Sequence, residues 1–294
     1  VTALGAAPRT EAAWLALIGQ ARDRASHFVA YDLSVQALAA WPDSLAIEHR
    51  AILALASAGA LGGALARYHA LEQAGRLDDL PDHLAGEFTG LGGRLFKDLA
   101  ARAGGEAALA HRLKSAQTYE AGFHRLGTYY LAINAAAMYL AAGHAERAAD
   151  YAAIAHDRAV RQGPDYWSLV TVAEAALILR NPDAAAAALR QAAGLGAARL
   201  ADLATTRRQL TWVAQLTSTP VAVLDHLPRP RVFAWDSGRG VLPGPLSGTA
   251  ISASGPLLGG ADLAFVQALL AAGAAEVNLV LPCEPAEFRR DLPD

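Results

Sequence analysis

The sequence predicts a mainly α chain: stacked helix–turn–helix units forming an α-solenoid, closed by a small C-terminal α/β module. Three observations carry this. Alanine, the best helix former, occurs 56 times in the first 200 residues and 15 times in the last 94. A pattern of large and small residues recurs at intervals of roughly 34 residues. After residue 216 proline and glycine rise, and short apolar runs replace long helical ones. The chain of 294 residues therefore divides into a helical repeat over 1–216 and a linker with a partial α/β segment over 217–294. That length suits about two domains.

Composition removes several function classes. Lys+Arg total 25 against 28 Asp+Glu, a net charge of −3, and a nucleic-acid binder would carry a basic surplus. The single cysteine, Cys283, allows no disulfide framework and no cysteine zinc site. Arg9 and Glu11 interrupt any basic-then-apolar leader, so a cytoplasmic setting is expected. The uncharged stretch from Leu126 to Gly143 is long enough to span a bilayer. Its Ala and Gly content with Thr128 and Asn134 reads instead as a buried helix of the array. No membrane contact is expected.

The units follow in order. The first starts at Glu11 and places Trp14, Ala30, Ala37 and Pro42 at positions 4, 20, 27 and 32. These are signature positions of the tetratricopeptide repeat. A second starts at Leu45, with Gly59 at 15, Ala64 at 20 and Leu71 at 27. A third starts near Gly86, with Gly93 at 8 and Phe96 at 11, and breaks at Gly104-Gly105. A fourth starts near Tyr129, with Tyr139 at 11, Gly143 at 15, Ala148 at 20 and Ala155 at 27. A fifth begins around Trp167 and turns at Asn181-Pro182-Asp183. Small residues let the helices of a unit approach; large ones fill the space to the next unit, and no unit buries its apolar face alone. A last helix runs from Ala198 to about Leu216. Thr217 to Pro230 reads as a linker, Arg231 to Trp235 as a strand, and Ser237 to Ser254 as a Gly/Pro/Ser-rich stretch. A helix over about Asp262–Ala272 and a strand over Val277–Leu281 follow. Strand, Gly-rich turn, helix and strand make the grammar of a Rossmann-like unit, here too short for a full doubly wound sheet.

Four strings then stand in order: GLGGRLFKDLA from Gly90, TYYLAINAAAMYLAAG from Thr128, DYWSLVTVAEAALIL from Asp165, and TRRQL from Thr206. They resemble the TRAF-binding region of apoptosis signal-regulating MAP kinase kinase kinases and its bacterial relatives, over roughly residues 40 to 216. The tail from Gly259 to Asp291 resembles the SLOG-like Rossmannoid module that follows this region in bacterial relatives. It departs from that pattern between Trp235 and Gly259, where a helical segment is missing, and stops soon after its last strand. The resemblance implies signalling through regulated assembly and, for the tail, sensing of a nucleotide-type ligand.

Candidate site residues fall in two places. Positions 2, 5, 6, 9, 12 and 13 of a tetratricopeptide first helix line its concave side. That puts Arg50 (position 6 of unit two), Arg94 and Lys97 (9 and 12 of unit three) and Asn134 (6 of unit four) on one groove, with Tyr130 beside them. The strip is net positive and suits an acidic peptide or carboxylate. The alternative is internal: Lys97 and Asp98 pair with neighbouring helices, Asn134 satisfies backbone groups, and Tyr129, Tyr130 and Trp167 pack. The second place is Gly259-Gly260 with Asp262. Glycines and a helix N-terminus admit a phosphate, while an N-capping Asp262 repels one. Gly238-x-Gly240 is a weaker version without a following helix.

Catalytic and metal motifs are missing from the sequence. None of the nine histidines stands in HExxH spacing, and there is no G-x-S-x-G elbow or P-loop. His83 and His156 sit beside Asp82 and Asp157 as solvated helix-face residues. Cys283 reads as a strand-end thiol, and Glu284 and Glu287 with Arg289 and Arg290 as a solvated helix. No cofactor is implied. The preferred reading is a non-catalytic regulatory scaffold that binds a protein partner or a second copy of itself. The alternative is a nucleotide-type small-molecule sensor acting through the tail; a nucleotide-processing enzyme ranks third.

Overall fold

Helix starts are set locally. Thr10, Ser44 and Thr128 each turn a hydroxyl onto a free N–H of the helix that follows, the usual role of Ser and Thr before a first turn. Asp165 and Ser168 close a reciprocal capping box. Asn181 caps the helix that Pro182 opens. The computed structural model describes residues 10–24, 26–195, 200–234, 249–256, 260–271 and 276–280. These pack into two compact units, residues 1–158 and 159–294.

The first unit contains four helical hairpins: α1 (Glu11–Asp23) with α2 (His27–Ala40), α3 (Leu45–Ser57) with α4 (Leu61–Gln73), α5 (Asp82–Arg102) with α6 (Gly105–Leu126), and α7 (Tyr129–Ala141) with α8 (Ala145–Gln162). The unit boundary falls inside α8. Starts at Glu11, Leu45 and Tyr129 are those the repeat phasing predicts. The third hairpin begins four residues before the expected Gly86, because Pro81 suits the residue before a first turn and Asp82 favours its N-terminal end. The stretch Leu126–Gly143 holds α7, which is only 13 residues long and largely buried. Among the described residues no helix is long and apolar enough to cross a membrane.

Three of the hairpin turns share one backbone solution. Gly59 and Gly143 take φ of 79° and 84°, the left-handed region that glycine enters without a Cβ penalty. The next N–H reaches back to close the turn, Ala60 to Leu55 and His144 to Tyr139, both at 2.9 Å. In the fifth hairpin the same role falls to Arg180, at φ 60°, followed by Asn181 bonding Ala176 at 2.8 Å. The guanidinium of Arg180 donates to the Thr217 carbonyl, which holds the residue in this conformation.

The core of the first unit explains its glycine motif. Gly90, Gly92 and Gly93 are all buried in α5, and each lies under a tyrosine from a different helix. A Cβ at Gly90 would touch the Tyr130 ring of α7 at 3.3 Å, one at Gly92 would overlap the Tyr68 hydroxyl of α4, and one at Gly93 would enter the Tyr119 ring of α6 at 2.5 Å. Ser115 of α6 then donates to the Gly93 carbonyl at 2.7 Å. The missing side chains bring the two longest helices together. Trp14, Ile18, Ala30, Leu33, Ala37 and Ile47 close the core between the first two hairpins, and the Ser44 hydroxyl ties their ends by donating to Glu11 at 2.5 Å.

The second unit contains α9 (Tyr166–Ile178), α10 (Pro182–Gly194), α11 (Leu200–Leu216), a 3-10 helix (Val221–His226), β1 (Arg229–Ala234), β2 (Thr249–Pro256), α12 (Gly260–Ala271) and β3 (Glu276–Val280). Arg207 of α11 donates to the carbonyls of Leu224 and Leu227 at 2.6 and 2.9 Å, so the expected linker is pinned to the helix before it. The three strands are parallel in the order β1-β2-β3, with Arg229 opposite Thr249 and Ser252 opposite Glu276. β2 lies partly in the stretch read from sequence as Gly/Pro/Ser-rich. Its small residues Thr249, Ala250, Ser252, Ala253 and Ser254 form the central strand. Pairing on both sides, rather than side-chain propensity, places it there.

Candidate functional site

The first helices of the four hairpins in the first unit, α1, α3, α5 and α7, carry every residue of the expected groove. Arg50 reaches Glu87 of α5 at 3.6 Å. Arg94 lies 3.6 Å from Asp98 one turn on, and its guanidinium donates to Ser57 of α3 at 3.4 Å. Lys97 has contacts of its own. Asn134 donates to the Tyr130 carbonyl at 2.8 Å, so the amide caps its own helix turn as the internal reading expected. Tyr130 is 50% exposed and stands edge-on to Tyr119, with ring centroids 6.4 Å apart.

The structure adds residues to this face. Arg22, at the end of α1, is half-buried. Burial pushes its guanidinium below the ordinary value; Arg50 and then Arg94 add to the drop, while Asp23 and Glu87 oppose it. Burial likewise lowers His27, with Arg22 and Arg94 contributing, and the buried Nδ1 of His27 has no hydrogen-bond partner among the described residues. His49 is 5% exposed and sits edge-on to Phe88 at 5.2 Å. Its Nδ1 lies 3.5 Å from Glu87 without a hydrogen bond. Burial lowers its pKa to about 4, although Glu87 pulls it up.

The sequence carried a signal for three of these. Arg22 is position 12 of unit one, His49 position 5 of unit two and Glu87 position 2 of unit three. All are groove positions under the rule that selected Arg50 and Lys97. The carboxylate and the histidine do not belong to a cationic strip, so charge sign alone does not single them out. The influence of Arg50 on Arg22 is hidden from the sequence because α1 and α3 meet only through packing. Beside Glu87 an open recess of about 710 Å³ lies between the starts of α5 and α7 and the end of α6, lined by His83, Glu87, Arg125, Tyr129 and Tyr130 among others.

A separate polar cluster joins α6, α7 and α8. Glu120 accepts from Tyr139 and Tyr151 at 2.6 Å each and from Arg147 at 2.5 Å. Burial pushes the Glu120 carboxyl up, but these three donors outweigh it and hold it below its ordinary value. The same bonds, with burial first, push Tyr139 up to about 12. Every acceptor here has an internal donor, so the cluster fastens helices rather than awaiting a ligand.

In the second unit, Tyr166 donates to Thr206 at 2.9 Å and Gln209 to the buried Glu174 at 2.7 Å, so the Asp165 and Thr206 strings tie α9 to α11. Trp167 is 47% exposed. Gly260 opens α12, which makes Asp262 an internal first-turn residue rather than the cap, and its side chain is 2% exposed. A carboxylate thus already stands at this helix end. Gly259, Cys283, Gly238, Gly240, Glu284, Glu287, Arg289 and Arg290 lie outside the described residues.

Paired helices with left-handed turns at position 15 and small residues at close crossings define a helical-repeat protein of tetratricopeptide type. Residues 30–139 match the family model described as Tetratricopeptide Repeats-Sensor. The chain is similar in fold to a thermophilic TPR protein of Thermus thermophilus, at 14% identity over 69% of this chain and 100% of that one, with a TM-score of 0.54. Two further solved structures align: a chain of the APC/C hetero-tetramer Cut9–Hcn1 (12% identity, 72% of this chain and 41% of that one, TM-score 0.43), and a tetratricopeptide repeat protein from Parabacteroides merdae (13%, 69% and 83%, TM-score 0.35). No curated protein matches the chain.

Proposed function

We propose that this protein is a non-catalytic, cytoplasmic scaffold that binds an acidic protein partner on the first-helix face of its first unit, within a signalling assembly. The observation that carries the reading is the row of Arg50, Arg94 and Lys97 beside the half-exposed Tyr130 on α3, α5 and α7. Arginine and an exposed tyrosine are the residue types enriched where proteins bind proteins. Repeat arrays commonly use such faces for this purpose. The resemblance of the four strings to the TRAF-binding region supports the signalling setting. In this reading residues 1–216 are the repeat domain, and 217–294 a linker with a partial SLOG-like Rossmannoid module.

The test is direct. A fluorescein-labelled peptide rich in Asp and Glu binds the wild-type chain in an anisotropy titration. Arg94→Glu combined with Lys97→Glu weakens it by about tenfold or more, as like-charge juxtaposition requires, with helical circular dichroism unchanged. Equal affinity for the double variant refutes the groove. Light scattering across a concentration series tests self-association on the same face.

A second reading is sensing of a nucleotide-type ligand by the tail. The parallel β2–α12–β3 crossover favours it. The Asp262 carboxylate at the start of α12 opposes a phosphate there. A nucleotide panel that leaves the melting temperature unchanged at millimolar concentration sinks this reading.

A further inference from the structure

We propose that the recess between the starts of α5 and α7 seats one arginine side chain of the bound partner, its guanidinium against Tyr129 and Tyr130 and answered by the Glu87 and Asp82 carboxylates. This rests on the protein-partner reading above and sharpens it. The partner is acidic where it meets the row of Arg50, Arg94 and Lys97, and carries one basic anchor beside that acidic stretch.

Size and shape come first. At about 710 Å³ the recess falls in the range of about 300–1,000 Å³ typical of side-chain and small-ligand sites. Part of its lining is apolar. Leu131 is buried, and Leu126 lies so close to α5 that a Cβ on Gly86 would meet it at 3.4 Å. Tyr130 leans on Gly90, whose missing Cβ would touch its ring at 3.3 Å, and it stands edge-on to Tyr119. The ring is therefore set in place before a partner arrives, which spares ordering entropy on binding. Tyr129 and His83 add two further rings to the lining.

Charge selects the occupant. Two carboxylates line the recess, and both are loosely held. Glu87 has its oxygens 3.5 Å from His49 Nδ1 and 3.6 Å from Arg50, beyond good charged hydrogen bonds. Asp82 stands 3.6 Å from Arg125, with its side chain 83% exposed. Glu48 of the same unit shows a satisfied carboxylate, with two bonds of 2.7 Å from Arg67. The lining cation Arg125 is already engaged, donating to the Leu80 carbonyl. A ligand carboxylate in the recess would meet Asp82 and Glu87, and like charges there are costly. The acidic stretch of the partner therefore stays on the arginine row. A purely apolar side chain would cover Leu126 but strip water from Glu87 and return no hydrogen bond. Arginine supplies both parts: an apolar stem that packs on leucine, and a planar head that stacks on tyrosine and donates to carboxylates. Lysine brings the charge without the stacking plane.

The test uses the whole chain and fluorescein-labelled peptides, read by anisotropy. Each peptide carries the same Asp/Glu-rich stretch and one variable residue (arginine, lysine or glutamine) placed before, within or after it. In the best register the arginine peptide binds about fivefold tighter than its glutamine twin, the scale of a cation–π contact with an exposed ion pair. Its smaller negative charge would by itself weaken it on a basic row, so the gain runs against bulk charge. The lysine twin gains less. Combining Asp82→Asn with Glu87→Gln removes the arginine preference, while the glutamine peptide still binds and circular dichroism is unchanged. The ratio of the two affinities is the readout, because Glu87→Gln also releases Arg50 toward the acidic stretch. The proposal is overturned if no register favours arginine, if lysine matches arginine, or if the preference survives the double variant. Acidic-peptide binding that is lost in Arg94→Glu, Lys97→Glu, with no arginine preference in the wild type, refutes this proposal alone. An arginine preference that follows Asp82 and Glu87, with affinity indifferent to Arg94→Glu, Lys97→Glu, refutes the groove reading alone.

Discussion

Replacing glycine by alanine at two helical positions changes stability in opposite directions. Gly19 lies in α1, and a Cβ there meets nothing within 4 Å. The substitution gains only helix propensity, about 1 kcal/mol. Gly93 lies in α5, so it gains the same propensity, but its new Cβ would stand 2.5, 2.6 and 2.7 Å from three ring atoms of Tyr119. The ring has little room to retreat. Tyr119 is 1% exposed, and its hydroxyl lies 3.4 Å from the Gly90 carbonyl. The backbones are also clamped by the Ser115 bond to the Gly93 carbonyl. Relief requires α5 and α6 to part by the better part of an ångström, opening voids along two long helices. Overpacking of this kind costs about 1–3 kcal/mol, occasionally more; three contacts under 3 Å put Gly93 in the upper half of that range, so the net change is a loss of roughly 1–2 kcal/mol after the propensity gain. Urea unfolding followed by circular dichroism reads both variants: the midpoint rises for Gly19→Ala and falls for Gly93→Ala, with similar slopes. A Gly93→Ala chain as stable as the wild type refutes the claim that the glycine motif exists for close helix approach.

Acid acts on two titrating groups, the buried His49 and the half-buried Glu120. The His49 pKa is depressed from 6.5 to about 4, so the unfolded chain takes the proton first. Its contribution is whole above pH 6.5 and declines as the pH falls toward 4, by on the order of 3 kcal/mol at the foot. His49→Gln flattens the stability slope across that window in urea titrations at successive pH values; an unchanged slope contradicts the assignment. Tyr151→Phe deletes the donor to Glu120 and the 3.1 Å contact with His124. It lowers the unfolding free energy at neutral pH by about 1.5–3 kcal/mol, the scale for a bond to a charged acceptor. Because the Glu120 carboxyl is held below its ordinary value, the part of stability it supplies persists above the unfolded carboxylate pKa. It is lost as pH falls through the folded one, and Tyr151→Phe narrows that loss.

What could be read from the sequence was local or periodic. Leu45 and Tyr129 announce helix starts because Ser44 and Thr128 satisfy N–H groups three residues ahead. Gly59 and Gly143 announce turns because a left-handed residue is needed there. The amphipathic spacing of Ala148, Tyr151, Ala152, Ala155 and Ala159 sets the buried face of α8. The groove rule also named the face on which Arg50, Arg94 and Lys97 stand, since helical spacing alone fixes which residues share a side.

Packing between distant segments decided the rest. Nothing within the string GLGG says that Tyr130, Tyr68 and Tyr119 will lie against its three glycines, because those rings arrive from three other helices. Residues 249–256 carry no strand signal; they become β2 because β1 and β3 offer hydrogen-bonding edges on either side. Arg180 takes a conformation that favours glycine, with its guanidinium bonded to a carbonyl 37 residues away. On the candidate face, sequence could count charges but not pair them. Glu87 of α5 reaches His49 and Arg50 of α3, and burial and then Arg50 lower the Arg22 guanidinium, because α1, α3 and α5 pack side by side. The sequence by itself therefore determined a tetratricopeptide-like repeat and the side of it that carries charge. Tertiary structure alone decided which of those charges meet, since that depends on distances between helices that no single helix encodes.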